Sequence, residues 1–192
     1  MISVCYIAKD YWLSKYIIQT LLTNGGGVEI ELLVVVEDKR LSNYLSKLIE
    51  SKDYLNLMSV KFTEEKDNYA KLIKEASGNY ICLFQSNIMV NKFWIMDLAY
   101  YNSNIQESGL TAIYSNKKGK FTPLLSQDDN FINVWQNEKN EVDGVCLFNK
   151  NLTYKLPKEI TIENISQEFS KQGLQNYYIP TQNSICIHHK KN

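Results

Sequence analysis

An unbroken apolar run, Tyr80-Ile81-Cys82-Leu83-Phe84, stops abruptly at Gln85-Ser86-Asn87. The two side-chain amides bring carbonyl oxygens and N–H donors to one spot. The donors can meet a phosphate directly; the oxygens are neutral and make weak ligands for a hard cation. The apolar run is short enough for a buried parallel strand. Open α/β sheets hold their ligands at the carboxyl edge of such strands. Two other apolar runs end the same way. Ile2–Ala8 gives way to Lys9-Asp10, and Leu32–Val36 gives way to Glu37-Asp38.

Other sources of chemistry are weaker. Gly25-Gly26-Gly27 is followed by a strand and not by Lys-Ser/Thr, so it reads as a turn and not a phosphate cradle. There is no Gly-x-Gly-x-x-Gly and no P-loop. Cys5, Cys82, Cys146 and Cys186 each sit in an apolar strand-like run, with no Cys-x-x-Cys among them. They read as buried free thiols in a reducing compartment.

The elements that position these residues follow from periodicity. Ile2 to Ala8 reads as a buried strand, and Tyr11 to Thr23 as a helix with Leu13, Tyr16, Ile17 and Leu21 on one side and Asp10 as its N-cap. Glu29 to Val36 is a strand whose Leu32–Val36 part is apolar on both faces, followed by a helix through Leu41, Tyr44, Leu45, Leu48 and Ile49. Leu55 to Phe62 is a third strand. Thr63-Glu64-Glu65 is expected to open the next helix. Tyr69, Leu72, Ile73 and Ala76 share a helical face, with Gly78 expected as the stop. A helix from Lys92 to Tyr101 and a strand from Gly109 to Tyr114 follow. Residues 115–131 form a polar excursion. Glu141 to Asn149 reads as a strand, and Ile162, Ile165 and Phe169 mark a short helix ended by Gly173. Residues 177–180 and 184–187 are short late strands. Alternation of strands with helices predicts a mostly parallel, doubly wound sheet in a single domain.

The 192 residues suffice for one domain with a real core. Twenty-one basic residues balance 21 acidic ones, so charge makes no case for nucleic acid or an anionic membrane. The 13 tyrosines suit both a core and contact with sugar. No run approaches the ~18 apolar residues of a membrane helix, and Met1–Ile7 is too short for a secretory segment, so a cytoplasmic location is expected.

The stretch Ala76-Ser77-Gly78-Asn79-Tyr80-Ile81, then an apolar run, then Gln85-Ser86-Asn87, resembles the middle of the family 2 glycosyltransferases, which have the GT-A fold. In that family an Asp-x-Asp stands where Gln85-Ser86-Asn87 stands here. Over nearly the whole chain the order of segments is similar. Residues 1–104 match the half that binds the nucleotide sugar, and 105–192 the acceptor half. The resemblance implies a mostly parallel mixed sheet flanked by helices. It also implies a transferase moving a sugar from a nucleotide-diphosphate sugar, most readily a UDP-sugar, to a carbohydrate acceptor in polysaccharide biosynthesis, with inversion.

The resemblance also assigns residues. Ala8 and Asp10 hold the place of the loop after the first strand. Glu37 or Asp38 inherits the acid that meets the nucleotide base; a solvated loop is the alternative. Gln85, Ser86 and Asn87 face the diphosphate. The family's divalent cation, Mg2+ or Mn2+, would fall to Asn87 and His188. With no carboxylate at 85 or 87, weak or no metal dependence is expected. Late matches are Gly144 to Phe148, Lys171-Gln172-Gly173, Tyr178-Ile179-Pro180 and His188. The family's acidic pair is Glu163-Asn164 here, which leaves Glu163 as the carboxylate to take the acceptor's proton, or else a Glu favoured by a helix N-terminus. A catalytically inactive binding module of the same fold is the competing expectation.

Overall fold

The computed structural model describes residues 1–23, 27–51, 58–64, 69–86, 88–90, 93–105, 108–113, 135–136, 142, 144–179 and 186–188, with the backbone alone at 58, 135–136, 155, 163 and 186–188. The polar excursion at 115–131 and Asn87 lie outside them.

The first half alternates as its periodicity dictates. Strand β1 (Ile2–Ala8) leads to helix α1 (Tyr11–Thr23), then β2 (Ile30–Val36), α2 (Lys39–Ser51), β3 (Met58–Thr63), α3 (Tyr69–Glu75) and β4 (Tyr80–Phe84). Short β5 (Ile88–Val90) precedes α4 (Trp94–Asn104) and β6 (Ser108–Ile113). Then come β7 (Trp135–Gln136), β8 (Val145–Asn149), a 3-10 turn (Lys150–Lys155), α5 (Ile162–Lys171), β9 (Gln175–Ile179) and β10 (Cys186–His188). The main sheet runs β3-β2-β1-β4-β8-β6-β9-β7, and β10 pairs with β5 in a separate ribbon. The pairs among β3, β2, β1 and β4 are parallel, as is β6 with β9; β8 and β7 run antiparallel to their neighbours.

Side chains alternate across the sheet, so each face needs its own helical cover. One face packs Val4, Tyr6, Leu32 and Phe84 against Ile17 and Leu21 of α1, Leu45 of α2 and Trp94 of α4. The other packs Cys5, Leu33, Leu83 and Cys146 against Leu72 of α3 and Ile165 and Phe169 of α5. Both faces of β2 are closed, which is why all seven of its residues are buried, Glu31 included. Cys5, Cys82 and Cys146 are buried free thiols, as expected, and burial pushes the Cys5 and Cys82 thiols far up. Among the described residues no helix is long and apolar enough to cross a membrane.

Several expectations need correction. Thr63 does not open a helix; it closes β3, in register with Val35. Gly78 is not a left-handed cap. It is where the chain crosses β1 so closely that a Cβ would lie 2.7 Å from Ser3 N and 2.9 Å from Met1 O. Tyr16 is 53% exposed, and the buried stripe of α1 is Ser14, Ile17, Ile18 and Leu21. Ser14 hides that stripe from a hydropathy reading; its hydroxyl receives the buried Tyr6 O–H. The strand expected from Glu141 starts only at Val145, because Gly144 turns the chain at φ 90. Strand β5 is only three residues long, too short to show a period in the sequence.

Candidate functional site

In the order 3-2-1-4, connections leave β1 toward β2 and return across it to β4. The carboxyl ends of β1 and β4 therefore form the topological switch point, the crevice where open α/β sheets hold ligands. Register places the sequence candidates around it. Ala8 lies opposite Val36, and Tyr6 opposite Phe84. Asp38 and Gln85 thus leave the sheet at one rim from strands either side of β1, about 10 Å apart at two strand spacings.

The Gln85 corner is built from both sides. Phe84 aligns with Val145 of antiparallel β8, so the start of β8 sits at the same rim. Gln85 N donates to Gly144 O at 2.9 Å, and Gly144 N donates back to Gln85 Oε1 at 3.1 Å. The buried Tyr6 hydroxyl donates to Ser14 Oγ at 3.0 Å and reaches Ser86 O at 3.4 Å. Burial holds that phenol well above its ordinary pKa, so it stays a donor. Tyr6 and Gly144, neither a sequence candidate for the corner in this role, therefore fix its shape.

The acids at the other wall are already engaged. Asp10 Oδ1 accepts from Leu13 N at 3.0 Å and caps α1, as expected. Asp38 caps α2 by accepting from Arg40 N at 2.8 Å. Its carboxylate also takes the Arg40 fork, Nη2 to Oδ2 at 2.6 Å and Nε to Oδ1 at 3.1 Å. The Arg40 hydrogen bonds hold the Asp38 carboxyl below its ordinary range. The Arg40 guanidinium lies over the Tyr11 ring at 4.7 Å, and that ring stands edge-on to Trp12 at 4.9 Å. Glu37 is exposed beside them and Ala8 is buried.

Backbone geometry brings two distant candidates to the same rim. Helix α5 runs back along β9 and joins it through Gly173 (φ 79), so the start of α5, with Glu163 in its first turn, faces the carboxyl ends of the strands. Asn164, the other half of the sequence pair, completes a capping box with Thr161 and is structural. His188 is in register with Ile88, directly after the corner. Among the described residues no three His, Cys, Asp or Glu side chains cluster to hold a metal ion. The described oxygens of the corner, Gln85 Oε1 and Ser86 O, are neutral and already accept protein hydrogen bonds, so they do not fit a tightly held divalent cation.

A buried carboxylate lies at the opposite rim. Glu31 accepts from Ser3 Oγ at 2.6 Å, Ser77 N at 2.8 Å, Ser77 Oγ at 2.7 Å and Lys61 Nζ at 2.8 Å. It knits β1, β2, β3 and the α3–β4 turn, far from the switch point.

No family model matches the sequence, and no curated protein does. Solved structures do match. The S. aureus protein TarS, residues 1–349, superposes with a TM-score of 0.61 at 13% identity over 97% of this chain and 60% of that one. The same protein in complex with UDP gives 0.61 at 16% identity. The mannosyltransferase PcManGT from Pyrobaculum calidifontis, in complex with GDP-Man and Mn2+, gives 0.64 at 9% identity over 97% of this chain and 56% of that one. The chain has the GT-A glycosyltransferase fold. It spans little more than half the length of these neighbours. At such identities the likeness is one of fold.

Proposed function

We propose that this GT-A chain transfers a sugar from a nucleotide-diphosphate sugar to a carbohydrate acceptor, with inversion and with little or no dependence on a metal ion. The observation that carries the reading is that Asp38, the Gln85 corner and the first turn of α5, which holds Glu163, all lie at the carboxyl rim of the sheet, with the His188 backbone paired to Ile88 beside the corner. The solved neighbours that bind UDP or GDP-Man support the donor class. Residues 1–104 hold the nucleotide sugar and 105–192 meet the acceptor. UDP-sugars are the first donors to try, and polysaccharide synthesis in the cytoplasm is the expected setting.

In this reading Ala8 and Asp10 border the nucleotide, and Glu37 or Asp38 meets the base. N–H donors of Gln85 and Asn87, with Ser86, face the leaving diphosphate and stabilise its growing charge. The Glu163 carboxylate takes the proton of the acceptor hydroxyl, whose oxygen attacks the anomeric carbon from the side opposite the departing diphosphate. His188 lies beside the phosphates. Mg2+ or Mn2+ at Asn87 and His188 is not required.

The test is turnover of UDP- and GDP-sugars with carbohydrate acceptors, with and without EDTA. Turnover that survives EDTA supports the reading; none with any donor refutes it. A non-catalytic binding module is the second reading, favoured by the structural use of Asn164 and of the Gln85 carbonyl. Calorimetry with UDP, with and without manganese, bears on the choice: metal-dependent binding favours the enzyme, no binding favours the module, and binding that ignores the metal leaves turnover to decide.

A further inference from the structure

We infer that Arg40 is an internal occupant of the nucleotide site, stacked on Tyr11 and forked onto Asp38 where the base has to lie. The inference rests on the proposed role of Asp38 as the base contact. A nucleobase bound by a carboxylate presents N–H donors at its edge and a flat face for stacking. The Arg40 guanidinium presents the same two things. Both Asp38 oxygens are engaged by it, at 2.6 Å to Oδ2 and 3.1 Å to Oδ1, and one face of the Tyr11 ring is covered at 4.7 Å. A base cannot use that carboxylate edge and that ring face until the guanidinium leaves.

Leaving needs no unfolding. The Arg40 side chain is 64% exposed, and the bond from Arg40 N to Asp38 Oδ1 that caps α2 is independent of the guanidinium. The competition lowers apparent affinity by the fraction of molecules in which the site is open. An exposed forked pair and an exposed cation–π contact of ordinary strength leave roughly one molecule in five to ten open. Removing the guanidinium therefore tightens nucleotide binding about five- to tenfold.

The experiment is calorimetry of the full chain with UDP and with GDP, for the wild type, Arg40→Ala and Arg40→Lys, with thermal melts as the check on folding. The expected result is a five- to tenfold gain for Arg40→Ala with at least one probe. The gain should be smaller for Arg40→Lys, whose point charge lacks the fork, and absent when Asp38→Asn is added. Affinity that is unchanged or weaker in Arg40→Ala overturns the inference and leaves the nucleotide site standing. If no variant, wild type included, binds either probe, the nucleotide-site reading falls and the inference falls with it.

Discussion

Glu31→Gln is the substitution whose effect the structure quantifies best. The Glu31 side chain is 1% exposed, and burial alone would push its pKa up. The hydrogen bonds from Lys61, Ser3 and Ser77 outweigh burial and bring it down from 4.5 to about 2. At 1.36 kcal/mol per unit, that difference is worth about 3 kcal/mol at neutral pH. Lys61 is 58% exposed, so solvent screens its share and about 2 kcal/mol is the better expectation. The amide of Gln keeps an acceptor but turns a donor group toward Lys61 or Ser77. A loss of about 2 kcal/mol lowers the melting temperature by roughly 4–8 °C for a domain of this size. Because the folded pKa is depressed, the contribution is complete above pH 4.5 and disappears as pH falls through about 2. Urea titrations followed by circular dichroism at pH 7, 4 and 3 should therefore show the gap between wild type and variant narrowing with acid. A gap equally wide at pH 3 and pH 7, or no gap at pH 7, would show that the network does not hold a charged carboxylate. Nucleotide affinity should not change, since Glu31 lies at the far rim.

Glu163→Gln should lower turnover by about 10²–10⁴-fold while leaving UDP or GDP affinity unchanged, checked by pairing kinetics with calorimetry. Tyr6→Phe removes the hydroxyl that ties Ser14 to the corner and should cost about 1 kcal/mol in urea unfolding, with weaker nucleotide binding. Gly144→Ala puts a side chain at φ 90, at a cost of about 1–2 kcal/mol, and should loosen Gln85; a denaturation midpoint equal to wild type would count against that role. Gly78→Ala places a methyl 2.7 Å from Ser3 N and should destabilise by about 2 kcal/mol or more, read from the melting temperature.

The fold was legible where burial writes a period. β1, α1 and β4 have the bounds read from the sequence, because β1 and β4 are buried over nearly their whole length and α1 along one stripe. The reading slipped where a polar side chain works inside the core. Ser14 broke the apparent face of α1, and nothing local betrays that its partner is Tyr6. Glu31, in a run otherwise apolar, gave no sign of its four donors on three other segments. The candidate site was legible as strand ends; Asp10 was legible as a helix cap, and Asp38 was not legible as occupied. The cap that Asp38 gives α2 went unread, and the Arg40 fork and the Tyr11 stack depend on how the first turns of α1 and α2 meet.

The ribbon of β5 and β10 has a consequence for how the protein comes into being. The residues just after the Gln85 corner are paired with a segment a hundred positions further along the chain. On the ribosome, β1 through β4 can emerge and begin to assemble while that partner has yet to be translated. The corner then lacks one wall, so competence to take up nucleotide should arrive late in synthesis, after the sheet beneath it has formed.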